Sequence, residues 1–225
     1  MQLSYWSRTM TCFDQCLEVE DILFRALSAE SFLVKEYNNK TSVPIRDFSF
    51  YGETFRRGHI SVVDARETKN LYLLHCTIMP YPTDPSPIYG FDIISGPKKV
   101  SGAFHDFSPT GPSMMNAMFK DMTADLEWNK RRPLPEWAQS IFSENIVAIG
   151  AVGPEELGKF IELGLHTLNC YLKYVGEESN ESYYDRHNLY CSQQRKNDRT
   201  PKSLEALGMS EAQARDFVDN NLFKL

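Results

Sequence analysis

The sequence predicts an α+β protein, a three-layer α/β/α sandwich around a central antiparallel sheet. Three observations carry that expectation. Runs of apolar, aromatic and β-branched residues at Leu71 to Met79, Ile88 to Ser95 and Val100 to Phe107 are separated only by Pro/Asp/Ser and Gly-Pro-Lys-Lys turn signals. Connections this short join antiparallel neighbours, because a parallel crossover needs a much longer link. Helical periodicity stands both before and after this block, so helices are available for both faces of the sheet. At 225 residues, 42% hydrophobic and 24% charged, the chain is expected to form one domain over 1–225.

The elements follow in order. From Cys12 to Tyr37 the positions Phe13, Leu17, Ile22, Phe24, Leu27, Phe32 and Val34 fit one helical face or two short helices, closed by Asn38-Asn39 and Pro44. Asp47 to Gly52 and His59 to Ala65 read as strands, with Gly52 to Gly58 as their turn. Adding Ile146 to Val152 gives about six strands. After Gly111-Pro112-Ser113, the positions Met115, Met118, Met122 and Leu126 form a helical stripe that reads as core. Pro133 and Pro135 end that region, and Trp137 with Phe142 seals an edge. Pro154 to Val175 is a helix with Pro early and Gly176 after its end; Tyr184 to Asp198 and Ser210 to Leu222 are two more.

Several function classes are excluded. A formal net charge of −6 disfavours nucleic acid as the main partner. No apolar run approaches the roughly 18 residues of a membrane span, and the N-terminus lacks a basic region followed by a hydrophobic core, so a cytoplasmic protein is expected. The five cysteines are scattered without C-x-x-C spacing, which argues against a disulfide framework, a zinc site or an iron–sulfur cluster. Gly153 to Lys159 matches a phosphate-loop spacing, but Phe160 replaces the magnesium-binding hydroxyl and Glu155 and Glu156 occupy the place of the phosphates. They read as acidic first-turn residues of the following helix.

Within the strand block, polar residues interrupt apolar runs: His75, Asp92, and the pair His105 and Asp106. An ionised carboxylate in such a run is paired, protonated, or at a strand end facing a cavity. Either a paired structural acid or a functional one satisfies this. Adjacent strands would set His75 and Asp92 side by side.

The segment LHCTIMPYPTDPSPIYGFDIISGPKKVSGAFHDFSPT, together with LPEWAQSIFSE (Leu134 to Glu144) and YCSQQRKNDRT (Tyr190 to Thr200), resembles the ferredoxin-dependent bilin reductases, and among them the phycocyanobilin-forming members most closely. The likeness runs from about Phe55 to the end. It implies an α/β/α sandwich with the bilin between the sheet and the C-terminal helices. The implied partners are biliverdin IXα and reduced ferredoxin, whose iron–sulfur centre supplies single electrons to an enzyme, expected as a monomer, with no bound cofactor and no metal. The protein then supplies protons, and a carboxyl desolvated against a flat apolar ligand keeps its proton to higher pH.

Carried over residue by residue, the resemblance makes Asp92 the central proton donor, His75 its pocket histidine and Asp198 a second acid, with Asn197 before it. His59 and Ser101 match pocket positions, Ser101 and Arg199 facing a propionate. Two positions depart from the pattern. Ser61 replaces a glutamate tied to reduction of the D-ring exovinyl group, and Asp64 cannot substitute because it falls on the opposite face. Gly150 falls where relatives place a propionate-binding Arg. The expected product is therefore phycoerythrobilin, by four-electron reduction; phycocyanobilin, 15,16-dihydrobiliverdin or a non-catalytic bilin carrier are the alternatives. Lys98-Lys99, Lys130-Arg131-Arg132, and Arg195-Lys196 with Arg199 and Lys202 are candidate basic contacts for an acidic ferredoxin.

Overall fold

The structure is a computed structural model that describes residues 10–36 and 44–224. The chain runs α1 (Cys12–Ala29), β1 (Leu33–Glu36), β2 (Ile45–Tyr51), β3 (Arg57–Ala65), α2 (Arg66–Lys69), β4 (Leu71–Met79), β5 (Ile88–Ser95), β6 (Val100–Ser108), α3 (Met114–Ala124), α4 (Glu136–Gln139), β7 (Val147–Ile149), α5 (Pro154–Tyr174), α6 (Tyr184–Gln194), α7 (Arg199–Ala206) and α8 (Glu211–Phe217), ending in a π turn at Val218–Leu222. The strands form one seven-stranded antiparallel meander in sequence order.

Alternation along the strands divides the side chains between two helical layers. Tyr72, Leu74, Cys76 and Ile78 of β4, with Tyr89, Phe91 and Ile93 of β5, pack in one core with α1, α3 and α5. Val63, Met79 and Ile88 point the other way, into a second core made by Tyr190 and Cys191 of α6, Leu204 of α7, Phe217 of α8, and Leu222 and Phe223.

Helix α1 starts at Thr11, whose hydroxyl accepts from Asp14 N while Asp14 caps Thr11 in return. It buries Cys12, Cys16, Val19, Leu23 and Leu27, a stripe at helical spacing. The helix ends at Ala29, eight residues before the expected limit, and Leu33–Glu36 is an edge strand paired with β2. Phe32 and Val34 had fitted a continued helical face, but their spacing is also that of a strand, and both remain exposed on this edge. The sheet therefore has seven strands where the sequence implied about six. The expected stop at Asn38-Asn39 lies outside the described residues.

Two further boundaries shift near the C-terminus. The helix expected over Tyr184 to Asp198 stops at Gln194, and Asp198 stands at the N-cap position, without a side-chain cap bond, of a separate helix, α7, that the sequence does not announce. Pro201 obscured it. In the first turn of a helix a proline removes an N–H that has no partner anyway. Ser210 opens α8 with a capping box to Gln213, and the last turn relaxes into the π form.

Helix α5 also disposes of the phosphate-loop match. Gly153 is its N-cap and Pro154 stands in the first turn; Lys159 donates to Glu127 O at 2.5 Å and lies 4.6 Å over the Trp128 ring. Glu156 accepts from Asn129 N and Nδ2. All of these contacts tie the preceding loop to the helix.

Gly164 sets how closely α5 approaches the sheet. A Cβ at Gly164 would come within 2.6 Å of Phe91 Cδ2 and closer to Cε2, and the Phe91 ring cannot swing away because it stacks on Phe160 at 5.0 Å. Gly164→Ala is expected to lower stability by about 2–3 kcal/mol through overpacking, read as a lower urea midpoint. An unchanged midpoint would show that the α5 contact yields freely.

Candidate active site

On the face covered by α6, α7 and α8, one rung crosses the sheet from β2 to β7. Asp47, Ser61, His75, Asp92, Phe104 and Ala148 are successive cross-strand partners. The neighbouring rung runs Ser49, His59, Thr77, Gly90 and Asp106. Because register is fixed by which face is apolar, polar residues at alternate positions of four strands arrive side by side.

His75 and Asp92 meet at the centre. His75 Nδ1 lies 2.6 Å from Asp92 Oδ1, and His75 Nε2 lies 2.5 Å from Thr77 Oγ1. A neutral imidazole donates from Nδ1 to the carboxylate and accepts from the threonine hydroxyl; an imidazolium donates to both. The hydroxyl turns and no heavy atom moves, so the ring holds or releases a proton without losing a contact. The His75 side chain is 14% exposed and that of Asp92 37%, so the carboxyl is the open end of the pair. Phe223 packs edge-on against His75 at 5.6 Å, closing its other side.

Behind His75 lies a second, fully buried acid–histidine pair. His59 Nε2 is 3.1 and 3.2 Å from the two oxygens of Asp47, and its ring centre is 5.8 Å from that of His75. Asn221 Nδ2 donates to Asp47 Oδ2 at 2.7 Å, while Asn221 O accepts from Arg57 at 2.7 Å. Burial works against the Asp47 charge, but the bonds from His59, Asn221 and Ser61 outweigh it and hold the carboxyl below its usual range. Burial pushes His59 down to about 4 despite the pull of Asp47, so the ring is neutral and donates its Nε2–H to the Asp47 carboxylate.

Asp106, one strand beyond, has a different task. It accepts from Ser143 N at 2.9 Å, Ser108 Oγ at 2.8 Å and Ser143 Oγ, binding the loop after α4 to the sheet. Burial pushes its carboxyl up to about 6 against those bonds. His105 points into the opposite core, between Gly90 O and Thr167 Oγ1 at 2.7 Å each. Both members of this pair are structural.

The structure thus brings together His59, Ser61, His75 and Asp92. Ser61 is 5% exposed and stands between Asp47 and His75, while Asp64 sits on the other face, paired with Arg66 and Arg46. Ser101 is nearby. It is the extra residue of a bulge opposite Ile94 and Ser95, and its hydroxyl donates to Ile94 O at 3.1 Å. Asn197 and Asp198 stay apart from this group. Asn197 accepts from Arg199 N and donates to Thr200 Oγ1, and Asp198 is a solvent-facing group bonded at 2.5 Å to Lys202. That lysine contact keeps the Asp198 carboxyl below its usual range.

Sequence reasoning missed Asp47, Thr77, Asn221 and Phe223. Asp47 had a signal, an acid among the apolar residues of IRDFSFY. Asn221 and Phe223 had none, because the π turn that aims them at β2 and β4 leaves no pattern in the sequence.

An acid–histidine pair with one open carboxyl can hold a proton and pass it on. Comparisons with known proteins agree on the family. Residues 22–224 match the family model described as ferredoxin-dependent bilin reductase. The phycocyanobilin:ferredoxin oxidoreductase of Synechococcus sp. strain CC9605 is 32% identical over 179 residues, 75% of this chain and 71% of that protein. A solved protein named PcyX superposes with a TM-score of 0.65 at 26% identity, over 92% of this chain and 97% of its own. Tomato phytochromobilin synthase, solved in complex with biliverdin, gives 0.67 at 14% identity, over 91% and 82%, a likeness of fold alone. No helix among the described residues is long and apolar enough to cross a membrane. With the fold, the acid–histidine rung and the family match in agreement, the chain belongs to the ferredoxin-dependent bilin reductases.

Proposed function

We propose that this protein reduces biliverdin IXα to phycoerythrobilin, taking four electrons singly from reduced ferredoxin and four protons through its own side chains. The observation that carries the product assignment is the rung Asp47–Ser61–His75–Asp92. It presents one open carboxyl, Asp92, and a hydroxyl where a second acid would stand opposite His75.

Each electron added to the tetrapyrrole makes it more basic, and Asp92 answers with a proton. His75, as the imidazolium, then returns a proton to Asp92 from Nδ1 along their 2.6 Å contact and stays neutral with its Nε2–H on Thr77 Oγ1, to be recharged from solvent. Asp198 serves as the second acid for the A-ring from the α6–α7 side, which requires it to leave Lys202 when substrate draws the turn inward. Ser101, Asn197 and Arg199 line the same side, and His59 backs His75. Electrons come from outside, so the fold holds no cofactor of its own in this reading. Of the basic residues expected at a ferredoxin contact, Lys98, Lys99, Lys130, Arg131, Lys196, Arg199 and Lys202 are exposed. Arg195 is not free for that role, since it donates to Phe223 O at 2.8 Å.

Anaerobic incubation with biliverdin and reduced ferredoxin, followed by chromatography, is expected to give a pink pigment that co-elutes with phycoerythrobilin. Ser61→Glu, made alone and with Asp47→Asn to relieve charge crowding, is expected to divert product to phycocyanobilin. If neither variant forms any, Ser61 does not decide the product. Binding without conversion would favour a bilin carrier instead.

A further inference from the structure

Asp47 and His59, behind His75, are each 1% exposed. A buried carboxylate needs donors, and Asp47 has three: His59 Nε2, Asn221 Nδ2 at 2.7 Å and the Ser61 hydroxyl. Among the described residues no lysine or arginine is ion-paired to it. The buried cation Arg57 is hydrogen-bonded to it only by way of Asn221, whose backbone O accepts from Arg57 while its side chain gives to Asp47. Arg57 also donates to Ser49 Oγ at 3.2 and 3.4 Å. Apolar packing of similar volume often stabilises a layer as well as such a cluster does, so what these bonds add is one fixed orientation.

The ring so held is His59. Its Nε2 lies against both oxygens of Asp47, and its Nδ1 is buried with no hydrogen-bond partner among the described residues. A proton on Nδ1 would be shut away from water with no acceptor, so the proton stays on Nε2 and Nδ1 keeps a bare lone pair. A carboxylate bonded to one ring nitrogen sets the tautomer in this way. The next ring is His75, with its centre 5.8 Å away. A neutral His59 lets that neighbour carry a positive charge, whereas a second imidazolium at this spacing opposes it.

Asn221 governs how strongly Asp47 pulls on the ring. The carboxylate shares its charge among three donors, and with one of them removed more of that charge falls on His59 and draws a second proton to it. The charged and titratable groups acting on His59 are Asp47 on β2, Arg57 on its own strand and His75 on β4, while the C-terminal turn brings the uncharged Asn221. Two arginines pin that turn in place: Arg57 on Asn221 O at 2.7 Å, and Arg195 on Phe223 O at 2.8 Å.

We propose that Asp47 and Asn221 are positioning residues for the proton path: together they lock His59 as a neutral ring with its proton on Nε2, so that His75 is the one histidine of the pair that takes charge and passes a proton to Asp92. Both act through His59. The role in catalysis rests on the bilin reading above, but the lock itself belongs to the ligand-free protein.

Nitrogen-15 spectra of the histidine-labelled protein, free of ligand at pH 8, test the lock directly. The unaltered protein is expected to show His59 as the single Nε2–H tautomer, assigned by its disappearance in His59→Gln. Asp47→Asn is expected to give a mixture of tautomers and to slow product formation about tenfold to a hundredfold, while biliverdin affinity stays within a few-fold. Asn221→Leu keeps the carboxylate and decides the matter should Asp47→Asn fail to fold. Its His59 is expected to take up the second proton about one pH unit higher than in the unaltered protein, with a severalfold slower rate. An unaltered protein whose His59 carries its proton on Nδ1 overturns the proposal. So do variants that slow the reaction with the His59 signals unchanged, since Asp47 and Asn221 would then act by shape alone. Variants that change those signals at the wild-type rate overturn it as well. A locked His59 in a protein that binds biliverdin without reducing it overturns the reduction reading, and the role in catalysis with it.

Discussion

Asp92→Asn is expected to slow product formation by about a hundredfold or more while biliverdin affinity stays within a few-fold, a general acid being worth roughly two to four orders of magnitude. The amide keeps the size of the carboxyl and still accepts from His75 Nδ1, so the rung keeps its register and its packing. What is lost is the ability to pass a proton on. His75 keeps its bond to Thr77 but is only 14% exposed, and the residue through which it meets the open side of the pair is the one changed. Rapid mixing with reduced ferredoxin and biliverdin should show a bilin radical that accumulates and decays slowly, where the wild type passes it on. Product at the wild-type rate would remove Asp92 from the proton path and move the donor role to Asp198. A variant that also fails to bind biliverdin would instead make Asp92 an anchor.

The contrast between Asp92 and Asp47 shows what the sequence discloses. Both are acids inside apolar strands, and both are paired to a histidine on the adjacent strand. Asp92 was legible because three well-spaced strands surround it and the family likeness covers them. Asp47 lies upstream of that likeness, and its meaning depends on His59 across a turn and on Asn221 from the far end of the chain. Contacts of this kind arise from topology, which a local pattern does not encode.

The same distinction explains the fold. Strands β2 to β6 and helix α5 were legible because alternation, helical period and turn chemistry agreed there. Edge strand β1 was not, since four exposed residues after a helix carry no inward pattern. Arg132 was misplaced for the complementary reason. A run of three cations reads as surface, yet the Arg132 guanidinium donates to Ser101 O and lies over the Phe104 ring, contacts that depend on which strand the segment pairs with. The role carried over to Asp198 meets a local competitor, Lys202 one turn ahead, which no family pattern reveals.

Acidification from pH 6.5 to 4 is expected to remove several kcal/mol of stability, a large part of the 5–15 kcal/mol typical of a domain. Burial holds His59, His105 and His187 each down to about 4, well below the ordinary histidine value. The folded state therefore binds fewer protons than the unfolded chain in this window. Each contribution is complete above pH 6.5 and is lost as pH falls toward 4, about 3 kcal/mol apiece at 1.4 kcal/mol per pH unit. Asp106 acts in the other direction. Its carboxyl is raised to about 6, so the fold takes up that proton more readily than the unfolded chain, which offsets part of one histidine.

His187 provides the clearest control. It is buried, neither ring nitrogen has a hydrogen-bond partner among the described residues, and the nearby Arg56 charge adds to burial in opposing protonation. His187→Leu removes both the titration and two unpaired polar atoms, so it should flatten the fall of Tm with pH and raise Tm at pH 5. His59→Gln flattens the same curve but leaves Asp47 a weaker partner, so it should lose stability at pH 8. A wild-type Tm that stays level from pH 7 to pH 5, or a His187→Leu curve parallel to it, would mean that these rings carry their protons into the folded state.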